Sequence, residues 1–135
     1  MNVLPATIKS IISSQELSCV NVQIGTDEFH LFLVEILDEK RFLNKNVKIT
    51  FKETELILLQ AKAAPSSANS ATAVIEKIEY GRVLAQVTLI YKTMPLTTLV
   101  ATPLFERLHV KEGDSVTWMV QPSEISLLWS TTYGI

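Results

Sequence analysis

Val74-Ile75-Glu76-Lys77-Ile78-Glu79-Tyr80-Gly81-Arg82-Val83-Leu84-Ala85-Gln86-Val87-Thr88-Leu89-Ile90-Tyr91 is the stretch on which the fold turns. Its first part, Val74 to Ile78, is rich in β-branched residues, a short polar break follows, and Val83 to Tyr91 reads as a second strand. Displaced by 67 positions, the same reading returns near the start of the chain. Ala6 meets Ala73, Ile8 meets Ile75 and Ile11 meets Ile78; Leu17 meets Leu84, Val20 meets Val87, Thr26 meets Thr93 and Glu39 meets Glu106. After a two-residue gap before Val47, a displacement of 69 pairs Val47 with Val116, Glu55 with Glu124, Leu58 with Leu127 and Leu59 with Leu128. An internal repeat is the expectation.

Working outward from that pair of strands, each half yields the same element order. Thr7–Ile11 and Val74–Ile78 are first strands, Leu17–Ile24 and Val83–Tyr91 second, Phe29–Val34 and Leu96–Ala101 third. Val20, Val22 and Ile24 alternate with polar residues, the pattern of a half-buried strand. The fourth and fifth strands are Val47–Phe51 with Leu56–Leu59, and Val116–Val120 with Ile125–Leu128. A short helix precedes each fourth strand. In the second half Thr102 can cap it and Pro103 can take its first position, and the first-half counterpart runs from Glu35 to Leu43. Lys111-Glu112-Gly113-Asp114 reads as a turn in which Gly113 is free to adopt positive φ. Five strands with a short helix before the fourth is the element list of an OB-like barrel. The expected fold is therefore all-β with short helices, as two tandem OB-like five-stranded β-barrel modules: residues 1–61, a small, polar, turn-prone linker over 62–71, and residues 72–135.

Composition bounds the function. The chain has 135 residues, 47% of them hydrophobic, which is enough apolar material for a folded core, although each half alone is marginal. A formal charge of −2 gives no electrostatic reason to expect nucleic acid or an acidic membrane as partner. The single cysteine, Cys19, forms no intramolecular disulfide and fits a reducing compartment. The first residues lack the basic region and apolar run of a signal peptide, and apolar stretches such as Leu56–Leu59 are too short to span a bilayer. A cytoplasmic location without membrane insertion is the expectation. His30 and His109 have no companions at zinc-ligand spacing, Cys19 reads as a small buried hydrophobe, and Trp118 and Trp129 read as packing residues. No Ser/His/Asp or Cys/His constellation is legible locally, so an enzyme is not expected.

The second half resembles the molybdate-binding Mop (TOBE) domains. Ile78 to Val87 matches their "I-x-x-G-x-V-x-A-E-V" opening, Pro95 to Val100 continues the match, and Glu106 to Val116 resembles "L-x-L-x-x-G-D-x-V". Gln121-Pro122-Ser123-Glu124-Ile125 aligns with "K-A-S-x-V". The first half resembles the family more faintly, and two consecutive modules resemble its tandem, di-Mop arrangement. The resemblance implies reversible binding of a tetrahedral oxyanion, molybdate or tungstate, for storage, homeostasis or regulation, by a homo-oligomer with sites between modules and subunits. No catalytic cofactor is implied. Such a dianion is held by backbone N–H groups, hydroxyls and an occasional Lys.

Carried onto this sequence, the Lys-Ala-Ser turn falls on Lys52-Glu53-Thr54 in the first half, keeping a cation and a hydroxyl. In the second half it falls on Gln121-Pro122-Ser123, where only the hydroxyl remains. The family's "S-A-R-N" segment falls on Ser66-Ser67-Ala68-Asn69, and the first half keeps Asn2. The oxyanion-binding set is thus Lys52, Thr54, Ser123, Asn2, Asn69 and Ser66. The family's Thr after the third strand is replaced by Val34 and Ala101, and a nearby Ser by Leu37 and Leu104. Glu53 repels a dianion unless it points away. The lost donors support an alternative: an assembly or interaction module of the same fold without anion sites. A third reading, a small enzyme acting on a molybdenum cofactor precursor, has no catalytic constellation behind it.

Overall fold

The computed structural model describes residues 1–61 and 69–128. Ten strands, two short α-helices and two single 3-10 turns follow in order: β1 Asn2–Ser14, β2 Leu17–Ile24, β3 Asp27–Leu33, α1 Glu39–Phe42, β4 Asn46–Phe51, a 3-10 turn Glu53–Glu55, β5 Ile57–Gln60, β6 Asn69–Tyr80, β7 Leu84–Tyr91, β8 Met94–Ala101, α2 Thr102–Glu106, β9 Ser115–Val120, a 3-10 turn Pro122–Glu124 and β10 Ser126–Leu128. The protein is mostly β, in two five-stranded antiparallel sheets.

The sheets do not follow the halves of the sequence. One has the order β5-β9-β6-β7-β8, the other β10-β4-β1-β2-β3. The compact units follow the sheets: the first comprises Met1–Asn2 with Lys52–Val120, the second Val3–Phe51 with Gln121–Ile135. The expected division at residues 61 and 72 assigned Leu56–Leu59 to the first half's sheet, whereas β5 pairs with β9, Leu58 opposite Trp118. Equally, β10 pairs with β4, Leu127 opposite Ile49. The local backbone is consistent with this. The hairpins β1–β2, β2–β3 and β7–β8 reverse through positive-φ residues, Gln15 and Glu16, Gly25, and Lys92 and Thr93. The connections after β4 and β9 contain none. Lys52 (φ −77°, ψ 155°) and Leu56 (φ −83°, ψ 121°) are extended on either side of the first 3-10 turn, so it does not fold the chain back as a hairpin. The expected linker also shortens, because Asn69, Ser70 and Ala71 open β6, and residues 62–68 lie outside the described residues.

In the first unit Trp118 and Tyr91 are buried and meet edge to face, centroids 5.2 Å apart, among Ile75, Leu89, Leu96 and Phe105. In the second, Leu4, Ile8, Phe29, Leu31, Ile49 and Phe51 are fully buried. Both first strands carry a bulge at the position that the 67-residue displacement matches, Ile8/Ser10 and Ile75/Lys77. The backbone freed there is taken up in one way in both units. Asn44 N–H donates to Ile8 O (2.8 Å) and Ile8 N–H to Lys45 O (3.0 Å); Gly113 N–H donates to Ile75 O (2.8 Å) and Ile75 N–H to Asp114 O (2.9 Å). Asn44 and Gly113 both have positive φ, the conformation that Asn and Gly tolerate best.

Two local expectations change. Thr102 is not the cap of α2 but its first residue, after Ala101. Its buried hydroxyl donates instead to Gly81 O (2.8 Å), tying the helix to the β6–β7 turn. The first-half helix is confined to Glu39–Phe42, with Asp38 accepting from Lys40 N–H. Cys19 lies on the outward face of β2, opposite Ile12 and Phe32, because strand alternation sends Ser18, Val20 and Val22 inward. Ser18 is accommodated there by donating to Glu35 O (2.6 Å) and accepting from Leu37 N–H (3.3 Å).

Gly81 is required sterically. Its N–H donates to Leu84 O (2.8 Å), and a Cβ would stand 2.5 Å from that same oxygen. Gly81→Ala should therefore lower stability by about 1–3 kcal/mol, read as a fall in the urea midpoint at unchanged slope. Ser18→Ala should cost about 1–3 kcal/mol by stranding the buried Leu37 N–H and removing the donor to Glu35 O.

Candidate oxyanion site

The residues that sequence reasoning singled out fall in different places. Asn2, Lys52, Thr54 and Asn69 belong to the first unit, and Ser123 to the second, exposed on its own 3-10 turn. Ser66 lies outside the described residues. In the first unit the 3-10 turn Glu53–Glu55 is fixed to β8 by Thr98. This fully buried side chain donates through Oγ1 towards Leu56 O (2.8 Å) and Glu53 O (3.2 Å), so both ends of the turn hang on one hydroxyl. The turn also closes on itself, Lys52 N–H donating to Glu55 Oε1 (2.7 Å) and Glu55 N–H to Lys52 O (3.0 Å).

Asn2 acts across 95 residues of sequence. Its Nδ2 donates to Thr97 O (2.9 Å) and its Oδ1 accepts from Thr97 N–H (2.8 Å), so the side-chain amide stands in for a neighbouring strand at the free edge of β8. Only 5% of Asn2 remains exposed, as for Asn69, its equivalent at the 67-residue displacement.

These constraints frame a cavity of about 260 Å³ lined by Met1, Asn2, Glu53, Gln86, Thr97 and Leu99, with polar groups on most of its wall. Glu53 does not point away from it. Its carboxylate lies 2.6 Å from the Met1 α-ammonium, and that hydrogen bond, helped by the residue's own backbone N–H, holds the carboxyl below its ordinary value of 4.5. The turn is divided between two environments. Glu53 faces the polar cavity, whereas Thr54 lines a second, apolar cavity of about 310 Å³ with Leu56, Ile57, Leu99, Leu104 and Leu108. The Lys52 side chain is exposed at the start of the turn and is not part of either wall.

Gln86 and Thr97 were missed as cavity residues. Both sit within segments that resemble the family, but nothing local marks them as lining a cavity, because their faces are chosen by strand pairing. Among the described residues no group of three or more His, Cys, Asp or Glu could hold a metal ion. None of their helices is long and apolar enough to cross a membrane. The arrangement offers an ammonium, two carboxamides and a hydroxyl around a carboxylate, groups that can bind a small polar ligand.

The fold is an OB-type one found among molybdate-binding proteins. Over 96% of its length the chain superposes on 96% of the cytoplasmic molybdate-binding protein ModG, solved with molybdate bound, at a TM-score of 0.83 and 21% identity. A murine DNA-binding protein bound to double-stranded DNA also aligns, at 13% identity over 96% of this chain and 97% of that one, but its TM-score of 0.33 carries no argument. No family model and no curated relative matches the sequence.

Thr98→Val removes the hydroxyl that anchors the 3-10 turn and should cost about 1–3 kcal/mol by leaving the buried Leu56 carbonyl without its donor. Glu53 gives a pH dependence of definite sign. Its folded-state value is depressed, so its contribution to stability is present above about pH 4.5 and is lost as pH falls through the folded value. Glu53→Gln should flatten the acid limb of the thermal-unfolding profile there.

Proposed function

We propose that this chain binds a tetrahedral oxyanion, molybdate or tungstate, reversibly and without chemical change, in the storage, homeostasis or regulation of that ion. The observation that carries the reading is the superposition of the whole chain on molybdate-bound ModG. The polar cavity beside Lys52-Glu53-Thr54 supplies a place for the ion in the first unit. There Lys52 contributes a charge at the start of the turn, and Asn2 and Thr97 supply a rigid wall. Asn69, Ser66, Thr54 and Ser123 complete the set of donors proposed for one or more such sites.

In this reading the protein is a tandem pair of OB-like modules that arose by duplication and have exchanged their last strands. The matching bulges at Ile8/Ser10 and Ile75/Lys77 support the duplication. It works in the cytoplasm as a homo-oligomer, with no catalytic cofactor and with neither nucleic acid nor a membrane as partner.

One observation favours a second reading, an assembly module of the same fold without working anion sites. On the outward face of the second unit, Ile12, Cys19 and Phe32 form a cross-strand row in which Ile12 is 71% and Phe32 48% exposed. At the 67-residue displacement the first unit has Glu79, Gln86 and Leu99. A surface of this kind suits burial against another chain.

Titration with molybdate, tungstate and sulfate separates the two. A saturable rise in melting temperature with molybdate or tungstate but not sulfate is expected, worth about 2.7 kcal/mol at a hundredfold excess over Kd. Lys52→Ala should weaken binding about tenfold or more, the loss of one charge-assisted contact. A stable oligomer whose melting temperature ignores all three anions would decide for the assembly module.

A further inference from the structure

Glu53 is an acceptor in a cavity proposed to hold a ligand that also only accepts. A carboxylate and a molybdate dianion have no proton to share, so they repel at contact unless one is added. In the free protein the carboxylate is satisfied by the Met1 ammonium at 2.6 Å. Among the described residues no other charged one lines the cavity: Asn2, Gln86 from β7, and Thr97 and Leu99 from β8 are uncharged. On the same turn, Lys52 is exposed, and Glu55 is occupied with the Lys52 N–H. An entering dianion therefore competes with Glu53 for the ammonium, the only cation on the cavity wall among the described residues. The backbone that carries Glu53 is anchored beside the cavity, because Thr98 Oγ1 reaches its carbonyl and that of Leu56.

We propose that Glu53 is the specificity-determining residue of this cavity and makes oxyanion capture proton-linked: as the dianion enters, the carboxylate takes one proton from solvent and becomes a hydrogen-bond donor to it. The proposal rests on the oxyanion reading and deepens it. The ammonium is freed to turn from Glu53 to the anion, and the new carboxyl O–H replaces a repulsion by a donated hydrogen bond. Affinity for an unprotonated anion then rises as pH falls. An oxyanion that carries its own proton, such as hydrogenphosphate, can donate to the ionised carboxylate and needs no proton from solvent.

The test is isothermal titration of the full chain with sodium molybdate at micromolar concentration, between about pH 6 and about pH 8, in buffers of different ionisation enthalpy. For the native protein, affinity should change about tenfold more per pH unit than for Glu53→Gln, with up to one additional proton taken up per anion bound. Glu53→Gln should bind molybdate about tenfold or more tightly than the native protein near pH 8 while losing any affinity for phosphate. Glu53→Ala, which removes the carboxylate without offering a new donor, should share the lost pH dependence. Equal proton uptake by native protein and Glu53→Gln, or weaker molybdate binding by Glu53→Gln at every pH, overturns the proposal while leaving the oxyanion reading intact. Absence of molybdate binding by all three proteins at every pH overturns both.

Discussion

The pairing of β5 with β9, and of β10 with β4, is the constraint on which the rest of the structure depends. Each compact unit is a complete five-stranded sheet only because one strand comes from the other half of the sequence. β5 brings Leu58 against Trp118, the largest side chain of the first unit's core. It also carries the 3-10 turn Glu53–Glu55 into the first unit, where Thr98 receives it. The position of Glu53 on the cavity wall is thus a consequence of strand pairing and not of the turn's own sequence.

The exchange also bears on cooperativity. Small modules bury a modest share of their surface and are marginal alone. Sharing strands makes each sheet depend on segments from both halves, so loss of one fourth-to-fifth strand connection disturbs both units. The two units keep the same bulge and the same loop contacts, yet they differ where a ligand would be held. The first unit has Lys52, Glu53 and Thr54 at its turn; the second has Gln121, Pro122 and Ser123, with no cation. Equivalent scaffolds with unequal polar groups are what separate divergence at a site from loss of a fold.

Much of the scaffold was legible in the sequence. β2 falls on the residues expected of it, Leu17–Ile24, and the other strands overlap their expected ranges, because the period-2 pattern of Val20, Val22 and Ile24 is a local property. Gly113 adopts positive φ as its turn required. The misreadings were also local in origin. Thr102 has the right chemistry for a cap, but the nearby Gly81 carbonyl claims its hydroxyl. Cys19 has the composition of a core residue, but strand phase places it outside, with Ser18 inside. For the site, Lys52, Glu53 and Thr54 were legible as a turn, whereas the contribution of Gln86 and Thr97 was not.

The sequence by itself determined which residues form strands, which face of each strand is apolar, where the bulged first strands repeat, and which turn keeps a cation. These are matters of side-chain period and backbone preference within a few residues. Only the tertiary structure decided which strands pair. The two halves carry nearly the same apolar pattern, so the local sequence of β5 does not distinguish β4 from β9 as its partner. The contact of Asn2 with Thr97 across 95 residues, and the side of the turn on which Glu53 emerges, follow from that choice. They are set by long-range hydrogen bonding, which a one-dimensional pattern does not encode.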